Sequence, residues 1–201
     1  MKRTFISFLL FFLISASVQS RAIAYSSDPE KFITEIIDEA KVILSSGSSQ
    51  EIKAKKLSEI ALKTVDIKGL AYYTLGKKRK EISSEELKKY EELFEKYFLK
   101  SFTSRLTDYS DPKISVLSAE IVNEKYTIVR TMLVKTSKKP EVKIDWRVYT
   151  KDSNNPLIRD LIVEGLSLAR TQKEEFSSIL SSNNNDINIL IAKLTEFVTK
   201  K

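Results

Sequence analysis

Residues 83–109 read SSEELKKYEELFEKYFLKSFTSRLTDY, and the rest of the chain is organised around them. Ser83 and Glu86 stand three apart ahead of an apolar run, so the hydroxyl caps a first helical turn while the carboxylate reaches back to the cap amide. Glu85 adds a second acid at the positive end of the helix dipole. Leu87, Tyr90, Phe94, Tyr97, Phe98, Phe102 and Leu106 then recur at steps of three and four. Leu93 and Leu99 widen the apolar arc to roughly 200°, twice the stripe of about 100° that a surface helix needs. One packing partner does not cover such an arc. Two readings follow: a core helix sandwiched between a sheet and other helices, or a helix that also lines an apolar ligand cavity.

The beginning of the chain sets the compartment. Lys2 and Arg3 precede the apolar run FISFLLFFLI over residues 5–14, and small residues lead on to Ala22-Ile23-Ala24. This is the pattern of a secretory signal peptide over residues 1–24, its apolar core about half of the roughly 20 residues that span a bilayer. Cleavage after Ala24 leaves 177 of the 201 residues, enough for one domain with a sizeable core. Loss of Lys2, Arg3 and Arg21 with the leader lowers the net charge from +7 to +4. That excess is too small and too scattered to argue for nucleic acid, though it suits anionic lipid or phosphate. Cysteine and histidine are both absent, which removes disulfides, Ser-His and Cys-His nucleophile pairs and the common zinc constellations. With 4 glycines there is no Gly-rich phosphate loop. No metal and no cofactor is expected, and a binding or carrier protein fits this composition better than an enzyme.

Read in order, the mature chain opens with a short mobile leader at Tyr25–Ser27. A helix then begins at Asp28-Pro29, with Asp as cap and Pro in the first turn. Ser45–Ser49 breaks it, a second helix runs from Gln50 to Val65, and a short third from Ile67 to Leu75 stops at Gly76. The run Lys77-Lys78-Arg79-Lys80 reads as a solvated turn. After residue 109 the period changes to that of strands. Residues 114–122 and 126–135 form a hairpin, and Val142, Ile144, Trp146 and Val148 alternate with polar residues in a half-buried strand. Leu157–Leu168, apolar on both faces, reads as one further, central strand. Helices from Ala169 to Leu180 and from Asp186 to Thr199 complete an α+β domain over residues 25–201.

The segment RDLIVEGLSLARTQKEEF, residues 159–176, places Asp160, Ile162 or Val163, Glu164, Gly165, Ser167, Leu168 and Phe176 at family-like spacing. It resembles the D-V-x-x-E-G-V-S-L…F signature of the MlaC (toluene-tolerance) family. Val65-Asp66, Leu75-Gly76 and the ladder Tyr90, Phe94, Phe98, Phe102, Leu106 and Tyr109 are similar to further landmarks of that family, in the same order. Arg79 and Pro156 depart from it, standing where the family has an aromatic residue and a Trp. The resemblance implies a twisted, mostly antiparallel sheet of four to five strands with packed helices, NTF2-like, enclosing a hydrophobic lipid pocket. It also implies a periplasmic phospholipid carrier, not an enzyme, that maintains outer-membrane lipid asymmetry. Its partners would be an inner-membrane ABC transporter complex with an MCE-type subunit and an outer-membrane lipoprotein complex.

Burying a methylene is worth about 0.8 kcal/mol, so two acyl chains of roughly 16 carbons carry on the order of 25 kcal/mol of surface that cannot stay in water. A carrier for them needs apolar walls and little else. The residues expected to line such a pocket are Tyr72, Leu75, Phe94, Phe98 and Phe102, opposite Val129, Leu133, Trp146, Val148, Leu161 and Val163. Ordinary core packing is the competing reading for each of them. A carrier of another apolar ligand, isoprenoid or sterol-like, is an alternative. So is an enzyme that uses Asp145, Asp160 or Glu164, although these carboxylates suit pairing with Arg147 or Arg159 equally well.

Overall fold

Asp28 accepts a hydrogen bond from the Lys31 amide at 2.9 Å and Pro29 fills the first helical position, which together start α1 (Pro29–Ser45). This computed structural model describes residues 24–107, 111–135 and 140–200. The expected leader therefore lies, but for Ala24, outside the described residues, as does Tyr109. Ser49 caps α2 (Gln50–Thr64), and Asp66 caps α3 (Ile67–Leu75). α3 stops because Gly76 turns to φ +59°, a conformation that side-chain-bearing residues rarely adopt. Its continuation, Gly76–Lys80, where a turn was expected, is a short 3-10 helix. α4 (Ser84–Leu106) begins with the expected reciprocal pair: Ser83 Oγ accepts from the Glu86 amide at 3.2 Å, and the Glu86 carboxylate accepts from the Ser83 amide at 2.8 Å. α5 (Leu168–Ser181) and α6 (Ile187–Thr199) start at Ser167 and Asp186.

Between α4 and α5 lies an antiparallel meander, β1 (Ile114–Asn123), β2 (Tyr126–Leu133), β3 (Val142–Tyr149), β4 (Leu157–Val163) and β5 (Leu166–Ser167), paired in that order. Asn123 shapes the first hairpin by accepting from the amides of Lys125 and Tyr126 at 2.9 and 3.1 Å. The register sets Val129 opposite Trp146 and Trp146 opposite Leu161, then Thr131 opposite Ile144 and Ile144 opposite Val163, so one face gathers the large side chains. The molecule is thus α+β, six α-helices packed with a five-stranded antiparallel sheet among the described residues.

Two expectations need correction. The single strand over Leu157–Leu168 is a strand, a turn and a two-residue return. Glu164 and Gly165 both take positive φ, +49° and +82°, which reverses the chain in a tight hairpin. β4 is consequently not central: beyond it lie the short β5 and a lone parallel bridge from Val65 to Ile158. Nor is Tyr25–Ser27 a free leader. The Tyr25 hydroxyl donates to Glu39, its ring meets Phe32 edge-on at 5.8 Å, and the Ser26 amide donates to Glu35 at 2.8 Å.

The buried apolar residues form two cores. One packs α1 and α2 on the sheet, through Phe32, Ile33, Leu57, Val129, Val148 and Ile158. The other joins α3, α4, α5 and α6, through Leu70, Tyr90, Phe94, Phe176, Leu190 and Leu194. Val65, at the crossing from α2 to α3, packs against both.

Candidate functional site

A cavity of about 1190 Å3 opens between these two cores, under the C-terminal half of α4 and over the sheet. Pockets for ordinary small ligands hold roughly 300–1,000 Å3, so this one exceeds them. On α4 the rings of Phe94, Phe98 and Phe102 stack down the wall at centroid spacings of 6.4 and 5.8 Å, the second pair tilted by 7°. Steps of four residues bring successive rings onto one stripe of a helix, which is why the sequence ladder becomes a wall. The sheet supplies Leu133, Trp146, Leu161 and Val163 opposite.

Seven of the expected residues therefore line the cavity: Phe94, Phe98, Phe102, Leu133, Trp146, Leu161 and Val163. Four do not. Val129 and Val148 are wholly buried in the core beneath α1, on the same sheet face as Trp146 but deeper. Leu75 is buried in the other core, among α3, α4 and α5. Tyr72 turns outward, its ring under the ammonium of Lys68 at 5.5 Å and the guanidinium of Arg79 at 5.9 Å. Sequence reasoning missed Ile36, Ile37 and Leu44 of α1, Ile60 of α2, and Ile144 on β3. The apolar face of α1 and the alternation that exposes Trp146 and Ile144 together were the available signals.

The wall keeps its polar atoms to itself. The Trp146 indole N–H donates to Thr131 Oγ1 at 3.0 Å, and that hydroxyl donates to the Ile144 carbonyl at 2.9 Å. Thr64 and Thr74 bond back to their own helices. Asp160, 4% exposed, accepts from Ser167 Oγ at 2.6 Å and from the Ala169 amide at 3.0 Å, with an Arg147 guanidinium nitrogen at 3.5 Å. No buried side-chain nitrogen or oxygen among the described residues lacks a partner. The buried part of the wall thus offers a ligand contact area with its own polar atoms already paired, which suits an apolar guest, while charged and polar side chains such as Lys41, Arg105 and Lys193 stand on the same lining.

The three carboxylates considered for acid–base work stand in different structural settings. Asp160 holds the start of α5, Glu164 sits in the β4–β5 turn accepting from the Lys143 amide at 2.5 Å, and Asp145 alternates with Trp146 onto the other sheet face. Arg159 pairs instead with Asp66 at 2.6 Å and lies 3.6 Å over the Tyr149 ring, tying the α2–α3 crossing to β4. Where α4 meets α5, the Tyr97 hydroxyl donates to Gln172 Oε1 at 2.6 Å, and burial pushes its phenol above the usual range.

The family model described as MlaC protein matches residues 33–196. The chain belongs to the MlaC family. No curated protein matches it closely. Among solved structures, a phospholipid-binding protein from Ralstonia solanacearum, determined in complex with a phospholipid, is similar with a TM-score of 0.70. That likeness is at 16% identity and covers 83% of this chain and 94% of the other, so it is one of fold. The landmarks of this MlaC-family chain have physical roles. Asp160 and Ser167 anchor α5 to β4, Glu164-Gly165 makes the turn between them, and Phe176 fills the helical core against Tyr90, Phe94 and Tyr97.

Proposed function

We propose that this protein is a periplasmic phospholipid carrier, exported by its N-terminal leader and acting by binding rather than by catalysis. The observation that carries this reading is the cavity of about 1190 Å3, walled by the Phe94–Phe98–Phe102 stack and the apolar face of the sheet. Membership of the MlaC family and the fold shared with a phospholipid-bound protein support it. Transfer from a bilayer into such walls is close to neutral, because apolar surface leaves one apolar medium for another. What the carrier stabilises is the crossing of water, which would otherwise expose on the order of 25 kcal/mol of acyl surface. Delivery would run between an outer-membrane lipoprotein complex and an inner-membrane ABC transporter with an MCE-type subunit, the cargo's exchange preserving outer-membrane asymmetry.

Organic extraction of the purified protein, followed by mass spectrometry, tests the cargo. Diacyl phospholipid at near-stoichiometric yield is expected, and Val163→Trp, which fills the cavity, should reduce that yield severalfold without unfolding the chain. Protein that is lipid-free and takes up none from vesicles, or that returns an isoprenoid or sterol-like molecule, overturns the reading. Cell fractionation tests the compartment separately.

A further inference from the structure

We propose that the surface built by the outer side of α3, the 3-10 helix Gly76–Lys80 and the adjoining side of α5 docks the protein on an anionic bilayer face, whatever fills the cavity. The run Lys77-Lys78-Arg79-Lys80 is more than an isolated solvated turn, because contacts draw further cations to it. Arg79 reaches back to donate to the Tyr72 carbonyl at 3.1 Å and lies 5.9 Å from the centre of the Tyr72 ring, which the Lys68 ammonium also approaches, at 5.5 Å. Lys173 of α5 lies 4.9 Å over the neighbouring Tyr73 ring, and its side chain passes 3.5 Å from where a Cβ on Gly76 would stand. Arg170, Glu174 and Ser177 join Tyr73 and Lys173 around a shallow recess. Two adjacent tyrosines and Gly76 thus gather seven cations from three elements onto one stretch of surface.

Four carboxylates stand among these cations: Glu91 is 3.3 Å from Lys68, Glu81 is 3.5 Å from Lys78, Glu86 is within reach of the Lys78 charge, and Glu174 borders the recess. The excess is three positive charges, against a net +4 for residues 25–201, so the remainder of that chain is close to neutral and the molecule has a positive pole. Lys77, Arg79 and Lys80 stand exposed on it. Cations spread over three elements form no single fork for one carboxylate, whereas a fluid sheet of phosphates rearranges to meet them. Tyr73, 41% exposed beside Lys173, is an amphipathic ring of the kind that settles at headgroup depth. The cavity takes Leu70 and Thr74 from the inner side of α3, so docking on the outer side leaves the cavity wall in place.

The test sediments the protein with vesicles of phosphatidylcholine alone and of phosphatidylcholine mixed with phosphatidylglycerol. Lipid taken into the cavity stays with the supernatant and does not score, so the cargo question is kept separate. Wild-type protein should pellet with the anionic vesicles only, and less as salt is raised. Lys77→Gln with Arg79→Gln and Lys80→Gln should weaken that binding about tenfold or more. Lys31→Gln with Lys113→Gln and Lys125→Gln, exposed on α1 and at the two ends of β1, removes the same charge and should weaken it by less than about threefold. Thermal melts establish that each variant is folded. Equal loss in the two triple variants overturns the docking surface, since net charge alone then accounts for the binding. Wild-type protein that ignores the anionic vesicles overturns it as well, including the case in which it binds polyglutamate instead and the surface serves an acidic protein.

Discussion

Tyr90 is fully buried on α4, and its hydroxyl meets Thr74 Oγ1 of α3 at 2.8 Å while Thr74 also bonds the carbonyls of Leu70 and Ala71 at 3.0 Å. Burial pushes the Tyr90 phenol well above its usual range, so it stays neutral and needs a partner for one proton. The two ends of this contact are not equivalent. Tyr90→Phe removes the group that needed satisfying and leaves Thr74 bonded to its helix, so a cost of about 0.5–1 kcal/mol is expected. Thr74→Val leaves a buried phenol hydroxyl with no acceptor and should cost about 1–3 kcal/mol, with urea unfolding as the measure. At this scale sequence reasoning reaches the face of an element but not its depth. Val129 and Trp146 sit opposite each other in register and share the same alternation, yet one is sealed in the core and the other lines the cavity. Tyr72 fails for a related reason: an aromatic ring on a helix is satisfied as well by the Lys68 and Arg79 cations outside as by a wall inside.

Among the elements, α4 was the most legible, because its cap, its apolar ladder and its length all agree. Its first turn also makes a pH prediction. The Ser83 amide and then the Ser83 hydroxyl hold the Glu86 carboxylate below its usual range. A carboxylate with a depressed folded value stabilises the native state above its unfolded value of about 4.3 and loses that contribution as pH falls through the lower one. Ser83→Ala should cost about 1 kcal/mol at pH 7. Glu86→Gln should flatten the fall in urea-unfolding stability between pH 5 and pH 3, two conditions on the order of a unit either side of the unfolded value. The β4–β5 turn was illegible for the opposite reason. Leu161–Leu168 is apolar on both sides of Glu164-Gly165, so the run reads as continuous, and only two positive φ values reveal the reversal. The split matters, because it is this turn that returns Ser167 to Asp160 and aims α5 back across the sheet.

For the whole molecule, order, layers and the excess apolar arc of α4 were all readable, whereas the volume of the space was not. That volume depends on how far apart two packed bodies are held, and among the contacts that set the spacing are the Val65–Ile158 bridge, the Asp66 amide donating to the Ile158 carbonyl at 2.9 Å, Arg159 on Asp66, and Ser167 and the Ala169 amide on Asp160. The distinction between core and wall is measurable. Phe176→Ala opens a hole in close-packed surroundings and should cost about 3–5 kcal/mol. Phe102→Ala removes a half-exposed ring from an existing space, so its thermal and urea stability should fall by less than about 1 kcal/mol while lipid loading drops. Equal destabilisation by the two would mean that the space closes up in solution.

The gap between the two cores has a consequence for what folding means in this chain. In most domains every piece of the hydrophobic interior is encoded in the sequence and stays for the life of the molecule. Here, on the carrier reading, the layer between Phe98 and Trp146 is left for the cargo to complete, so the membrane supplies an interchangeable part of the protein's own interior. Each delivery then removes part of the donor's stability and each pickup restores it. The folded state acts as a thermodynamic gauge of how full the shuttle is, and any partner that grips the empty form more tightly than the loaded one can read that gauge without touching the lipid.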